Sequence, residues 1–316
     1  MSTHFVGLAT PAVFGSSART IYVLARAADY LGTALFVGGC AFVAFLWPAG
    51  SRVRATRRLL VTGWVLGLAG TLAAVGLEGV WAGQLPLRAA VDWHVIQQVL
   101  TLDFGREWSA KALLWVLAAV VLADLLRRCD TAASSLAWRV GAGAVGLGLL
   151  RIIGLTGHAT DTRYTAIAAV ADLVHLTAVS LWIGGLAVLL LGVLPRRRPD
   201  ELAAIVPRYS RLALGSVLAI VATGIVMAVQ LLDGVGALFD TGYGALLLTK
   251  IALLAVILCA AWASRTWIAH RLDFAVVMRG DMTTVRPVVR SVAVETALTL
   301  LVLVAASFLV TANPGQ

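Results

Sequence analysis

Eight stretches of the chain are long and apolar enough to cross a bilayer as helices: residues 20–47, 59–82, 107–126, 137–157, 164–194, 208–232, 244–264 and 291–311. A helical span needs about 20 mainly apolar residues. A helix also satisfies its backbone polar groups within the segment, as hydrocarbon requires. No ten-residue alternation of apolar and polar residues points instead to a β-barrel. Charged residues make up 13% of the chain and mean hydropathy is +0.92; an average soluble domain carries about 25% charged residues. The expected fold is an all-α polytopic membrane protein with eight transmembrane helices.

The net charge of +9 has a location. Of the 25 Lys and Arg, 17 fall in four alternate connections, 52–58, 127–139, 196–211 and 265–290. The other connections hold Arg19, Arg88, Arg106 and Arg163, and Arg26, Lys111, Arg151 and Lys250 lie within spans. Arginine-rich loops face the cytoplasm, which places both termini on the extracytoplasmic side. The basic excess is then a topology signal and gives no reason to expect nucleic acid. Residues 1–19 lack a basic segment followed by an apolar one, so the first span is expected to act as an uncleaved anchor. Cys40, Cys129 and Cys259 have no CxxC spacing and suggest neither a disulfide frame nor a zinc site. The outer connection 83–106 contains VDWHVIQQVL and reads as an interfacial helix, with His94 an ordinary surface histidine.

The spans suggest an internal duplication. Span 3 opens with an aromatic residue, Gly, five residues and Lys111; span 7 opens the same way before Lys250, 139 residues later. Spans 1 and 5 align on Gly38-Gly39 and Gly184-Gly185, which matches Phe36 with Trp182, Asp29 with His175 and Arg26 with Asp172. Spans 2 and 6 share an Arg followed 13 residues later by Gly, Arg57 to Gly70 and Arg211 to Gly224. Four spans return the chain to its starting side, so the halves, 20–158 and 159–316, would be parallel repeats about an axis along the membrane normal. The glycine pairs are expected to permit close helix packing.

Ionisable residues inside a bilayer are costly and mark function by default. Arg26, Asp29, Glu78, Lys111, Arg151, His158, Asp172, His175 and Lys250 all fall between the outer boundary and mid-membrane. Only Asp124 and Glu295 lie toward the cytoplasm, which implies a polar vestibule open to the outside. Asp172 and His175 are three apart and share a helix face; a carboxylate with imidazoles suits Cu(II), Zn(II) or Ni(II). His158 and His175 are about 16 Å apart along the normal if the turn lies near Asp161, so they share one ion only if residues 159–166 lie flat. The structural alternatives are a neutralising Arg26/Asp29 pair, outward-snorkelling Lys111 and Lys250, and Asp172/His175 as a buried hydrogen-bonded pair. Met227 is the sole methionine inside a span, which argues against a thioether ladder for Cu(I). After removal of Met1, Ser-Thr-His4 would offer a weak square-planar Cu(II) site.

Certain motifs resemble a known family. GHAT at 157–160, then Asp172-x2-His175-x6-Trp182-x-Gly184-Gly185, is similar to the signature of the bacterial copper-resistance D (CopD) family. So are Tyr209 to Ala228, Thr241 to Lys250, and the closing segment with Arg290, Glu295 and Pro314. The first half matches more loosely, mainly in its plan and Arg26. The resemblance implies a bacterial inner-membrane protein of copper uptake or copper handling, working beside a small periplasmic copper-binding β-sandwich protein. This sequence contains no such domain. On this reading His158, Asp172 and His175 contact the metal, Trp182, Lys250, Arg151, Lys111, Asp29 and Arg26 shape the site, and Glu295 is the exit residue. Two other classes stay open: an intramembrane haem b protein with histidine ligands, and a non-transporting membrane scaffold or sensor.

Overall fold

A computed structural model describes residues 11–231 except 83–84, 102, 156–164 and 197, together with 248–249, 251–252 and 255. In chain order the helices are α1 (Pro11–Phe45), α2 (Arg54–Ala82), α3 (Trp93–Thr101), α4 (Asp103–Arg128), α5 (Asp130–Ser134), α6 (Leu136–Leu155), α7 (Thr165–Val188) and α8 (Pro199–Leu231). Among the described residues no strand occurs. Six segments among the described residues are long and apolar enough to cross a membrane: Thr20–Phe45, Arg54–Val80, Gly105–Arg128, Leu136–Gly154, Ala166–Arg196 and Asp200–Gln230. They coincide with the first six spans read from hydropathy, and the chain is a multi-pass membrane protein. Most of the seventh span and all of the eighth lie outside the described residues.

Three boundaries differ from the hydropathy reading. Helix α1 begins at Pro11 inside the expected N-terminal segment, α2 begins at Arg54, and α8 begins at Pro199. The stretches 52–58 and 196–211 are therefore largely helical turns and not loops. Hydropathy falls where a helix leaves lipid, but its backbone bonds continue as long as the sequence permits. Pro199 suits a first helical position, where no N–H is needed, and Asp200 and Glu201 in the first turn oppose the positive helix end. Glu201 accepts two 2.9 Å hydrogen bonds from Arg196 and one of 3.3 Å from Arg198. Pro207 sits within α8 and costs it one backbone bond.

Helix α1 is the centre of the bundle, packed on α2, α6 and α7. Its Leu35 and Phe42, with Trp47 just beyond its end, are buried with Ile183, Leu186 and Tyr209, while Phe36 and Val43 face Leu60, Trp115 and Leu149. Phe36 meets Trp115 edge-on at 5.7 Å. The α1–α7 crossing is reciprocal. A Cβ on Gly38 would strike the Ser180 carbonyl and come within 2.9 Å of Gly184 Cα; one on Gly184 would strike the Ala34 carbonyl and come within 2.7 Å of Gly38 Cα. The glycine pairs thus do pack closely, on each other. Because backbone cannot yield as a flexible side chain does, Gly184→Val is expected to lower stability by about 3 kcal/mol, read as a lower melting temperature in detergent.

Three arginine-rich segments gather at one end of the bundle. Arg52 forms an ion pair with Asp130 at 2.6 Å, and Arg57 donates to the Leu126 carbonyl at 3.1 Å. Arg139 lies over Phe45 and Arg196 over Trp47. The hydrogen bonds from Arg52 hold the Asp130 carboxyl below the usual carboxylate range. The connection after α2 forms a 3₁₀ turn (Leu87–Val91) and α3, with Val91, Trp93 and His94 exposed, so a helix does form where the sequence suggested one.

Candidate functional site

The intramembrane ionisable residues separate into two groups. The first is closed. Asp29 on α1 is fully buried and pairs with Lys111 on α4, itself 2% exposed. Thr71 on α2 donates to Asp29 Oδ1 at 3.0 Å and accepts from Trp115 Nε1 at 3.0 Å. Gly70 lets α2 come this near: a Cβ there would lie 2.6 Å from the Asp29 amide nitrogen. The Trp108 ring covers the Lys111 ammonium, 5.1 Å from its centroid.

Arg26 lies one turn from Asp29 and points elsewhere. Its Nη1 donates to the Tyr22 hydroxyl at 3.2 Å and its Nη2 to the Tyr30 hydroxyl at 2.7 Å. The rings of Tyr22, Tyr30 and Trp108 lie 5.5–5.8 Å from the guanidinium carbon. Tyr22 also interacts with Glu78. Two expectations change here. The partner of Asp29 is Lys111, 82 positions away, where the sequence suggested Arg26; and Lys111 turns inward to that carboxylate instead of snorkelling. Nor do these residues line a vestibule, because aromatic rings and each other's charges enclose them.

The second group is half-buried and centres on α7. Asp172 shares the surroundings of Gly154 with Arg151 on α6. Its Oδ2 rests on the bare backbone of Gly154, where a Cβ would collide with it. One turn further along α7, His175 Nδ1 lies 2.9 Å from Thr223 Oγ1 on α8. The Thr223 hydroxyl has one hydrogen, and its 2.6 Å contact with the Ala219 carbonyl uses it. Thr223 then accepts from His175, so Nδ1 carries a proton, and in the neutral imidazole the electron pair is on Nε2. That tautomer is the one a metal-binding histidine takes when its other nitrogen is held by the protein.

Of the residues singled out from sequence, the fold brings Asp29 together with Lys111, and Asp172 with Arg151. Trp182 lies two turns from His175, buried beside Ala178 and Ile220, with its carbonyl accepting from Tyr209 at 2.7 Å. His4, His158, Lys250 and Glu295 lie outside the described residues. Among the described residues no group of three or more His, Cys, Asp or Glu is placed to hold a metal ion. Sequence reading missed Tyr22, Tyr30, Thr71, Trp108, Trp115 and Thr223. Only Tyr22 and Tyr30 carried a local signal, each four residues from Arg26 on the same helix.

Comparison with known proteins identifies both halves. The family model for the copper resistance protein D-like N-terminal domain matches residues 17–164, and that for copper resistance protein D matches residues 203–309. The first half, whose motifs resemble the family only loosely, thus carries a match of its own. Asp172 and His175 fall between the two matched ranges. The chain is 30% identical over 244 residues to the copper transport protein CutJ of Bacillus subtilis (strain 168), covering 72% of this chain and 43% of that protein. It therefore spans less than half the length of that relative. No solved structure gives a significant match.

Proposed function

Since the chain belongs to the copper-resistance D family, we propose that it handles copper at the bacterial inner membrane, taking the ion from the extracytoplasmic side and passing it inward. The observation that supports this reading is the His175–Thr223 hydrogen bond, which in the neutral imidazole leaves Nε2 as the nitrogen that would bind the ion. Asp172 is one turn away on the same helix face, and Arg151 stands beside it. A carboxylate and an imidazole suit Cu(II), with His158 as the proposed further ligand and Lys250 shaping the site. Glu295 is the proposed exit residue.

The reading includes eight spans, parallel four-helix repeats at 20–158 and 159–316, and both termini extracytoplasmic. Support for the repeats comes from the reciprocal contact of Gly38 and Gly184, which is what a two-fold axis between equivalent helices requires. Support for the orientation comes from the arginines gathered at one end. Copper is the cargo, delivered free or by a separate periplasmic β-sandwich protein.

Cellular copper content tests the proposal. Cells producing the chain should accumulate more copper than cells carrying an empty vector; equal content at verified expression contradicts it. Thr223→Val should weaken copper binding by the purified protein about 10–100-fold while leaving every proposed ligand in place. A chelator-competition titration measures this, and a wild-type affinity would show that the tautomer lock plays no part.

A further inference from the structure

The α1–α7 crossing fixes a residue correspondence that does not depend on motif matching. Gly38 lies over the Ser180 carbonyl and Gly184 over the Ala34 carbonyl, so both contacts obey one offset of 146 residues. At that offset Asp29 corresponds to His175, each nine residues before its glycine. Each is also gripped by a threonine from the following span: Asp29 Oδ1 by Thr71 at 3.0 Å, and His175 Nδ1 by Thr223 at 2.9 Å. Thr71 follows Gly70 and Thr223 precedes Gly224, so each lies beside the matched glycine of its span, on opposite sides of it. The two halves therefore place a polar side chain of the first helix against a threonine hydroxyl of the second, Thr71 donating to Asp29 and Thr223 accepting from His175.

In the first half a cation already sits against that donor. The Lys111 ammonium bonds Asp29 Oδ2, and the Trp108 ring covers it at 5.1 Å, as a quaternary or primary ammonium is held by an aromatic face. The carboxylate and the indole face make a lining selective for an ammonium, and Thr71 holds the carboxylate in place. We propose that Asp29, Thr71 and Trp108 form a cation site, the first-half counterpart of the His175 site, which Lys111 fills with its own tethered alkylammonium. A free primary alkylammonium can then replace the side chain when the tether is cut. This inference rests on the two-repeat reading above and not on copper as the cargo.

Chemical rescue of Lys111→Ala tests it. The purified full chain is melted in detergent with n-propylammonium chloride, and with sodium chloride and tetramethylammonium chloride at equal ionic strength. Lys111→Ala should melt below the wild type. Propylammonium should raise its melting temperature saturably, by about 5 °C at a hundredfold excess over Kd. Sodium and tetramethylammonium should not, one lacking N–H donors and the other too bulky as well. Asp29→Asn/Lys111→Ala, which removes both charges, should fold without amine and show no response. An absent response, or an equal one in the double variant, overturns the proposal. If Lys111→Ala is recovered folded only when amine is present during extraction, that recovery supports it; loss in both conditions overturns it. A wild type that binds no copper, together with intact amine rescue, refutes the copper reading and leaves this site standing.

Discussion

His175→Ala is expected to reduce copper-dependent accumulation to the empty-vector level and to remove copper binding from the purified protein. His175 sits half-buried on α7, one turn from Asp172. A histidine there needs a reason, because its polar nitrogens must be satisfied away from water. Thr223 engages Nδ1, and does so in a way that leaves Nε2 with the electron pair. Alanine removes that pair, and the neighbours on its helix face, Val179 and Trp182, cannot supply another. His175 is half-buried, and the variant should still express. Unchanged accumulation in a well-expressed variant would contradict the assignment of His175.

Asp29→Asn is the second large effect, and it acts on stability. The variant leaves the Lys111 ammonium, 2% exposed, facing a neutral amide. Breaking a buried pair by removing one partner typically costs about 3–5 kcal/mol, because the other charge stays buried without compensation. The expected result is a melting temperature about 10 °C below the wild type. Asp29→Asn/Lys111→Met should regain most of that loss, since neutralising both members removes the stranded charge. Thr71 can still donate to the amide carbonyl that replaces the carboxylate in either variant. A single variant that melts like the wild type would mean that Lys111 reaches water, contrary to its enclosure by Trp108 and Asp29. The exposed Arg52–Asp130 pair offers the contrast: solvent screens it, and its removal should change little.

Local chemistry was readable without coordinates wherever it depended on a single helix. Spans 1 to 6 were legible because lipid imposes length and apolarity on each helix separately. Gly38 and Gly184 were legible as packing positions for the same reason, and Asp172 with His175 because three residues place them on one face. What required the fold was the choice of partner between helices. Nothing in the neighbourhood of Asp29 names Lys111 or Thr71, and Arg26 three residues earlier was the nearer candidate by spacing. The tyrosines Tyr22 and Tyr30 draw Arg26 away, since each lies one turn from it along α1. Thr223 was hidden in an apolar run, where a threonine usually bonds its own helix, as this one also does. The helix starts at Arg54 and Pro199 were missed because hydropathy reports lipid contact, and a helix can continue beyond the lipid.

The central claim, that this membrane bundle holds copper at His175, is tested most directly by purifying the chain in detergent without added metal and recording elemental content and the absorption spectrum together. Copper is expected in the wild-type preparation and absent from His175→Ala, with no Soret band in either. A Soret band lost on His175→Ala would assign the histidine to haem instead. A colourless, copper-free wild type from copper-replete cells would contradict copper binding at this site.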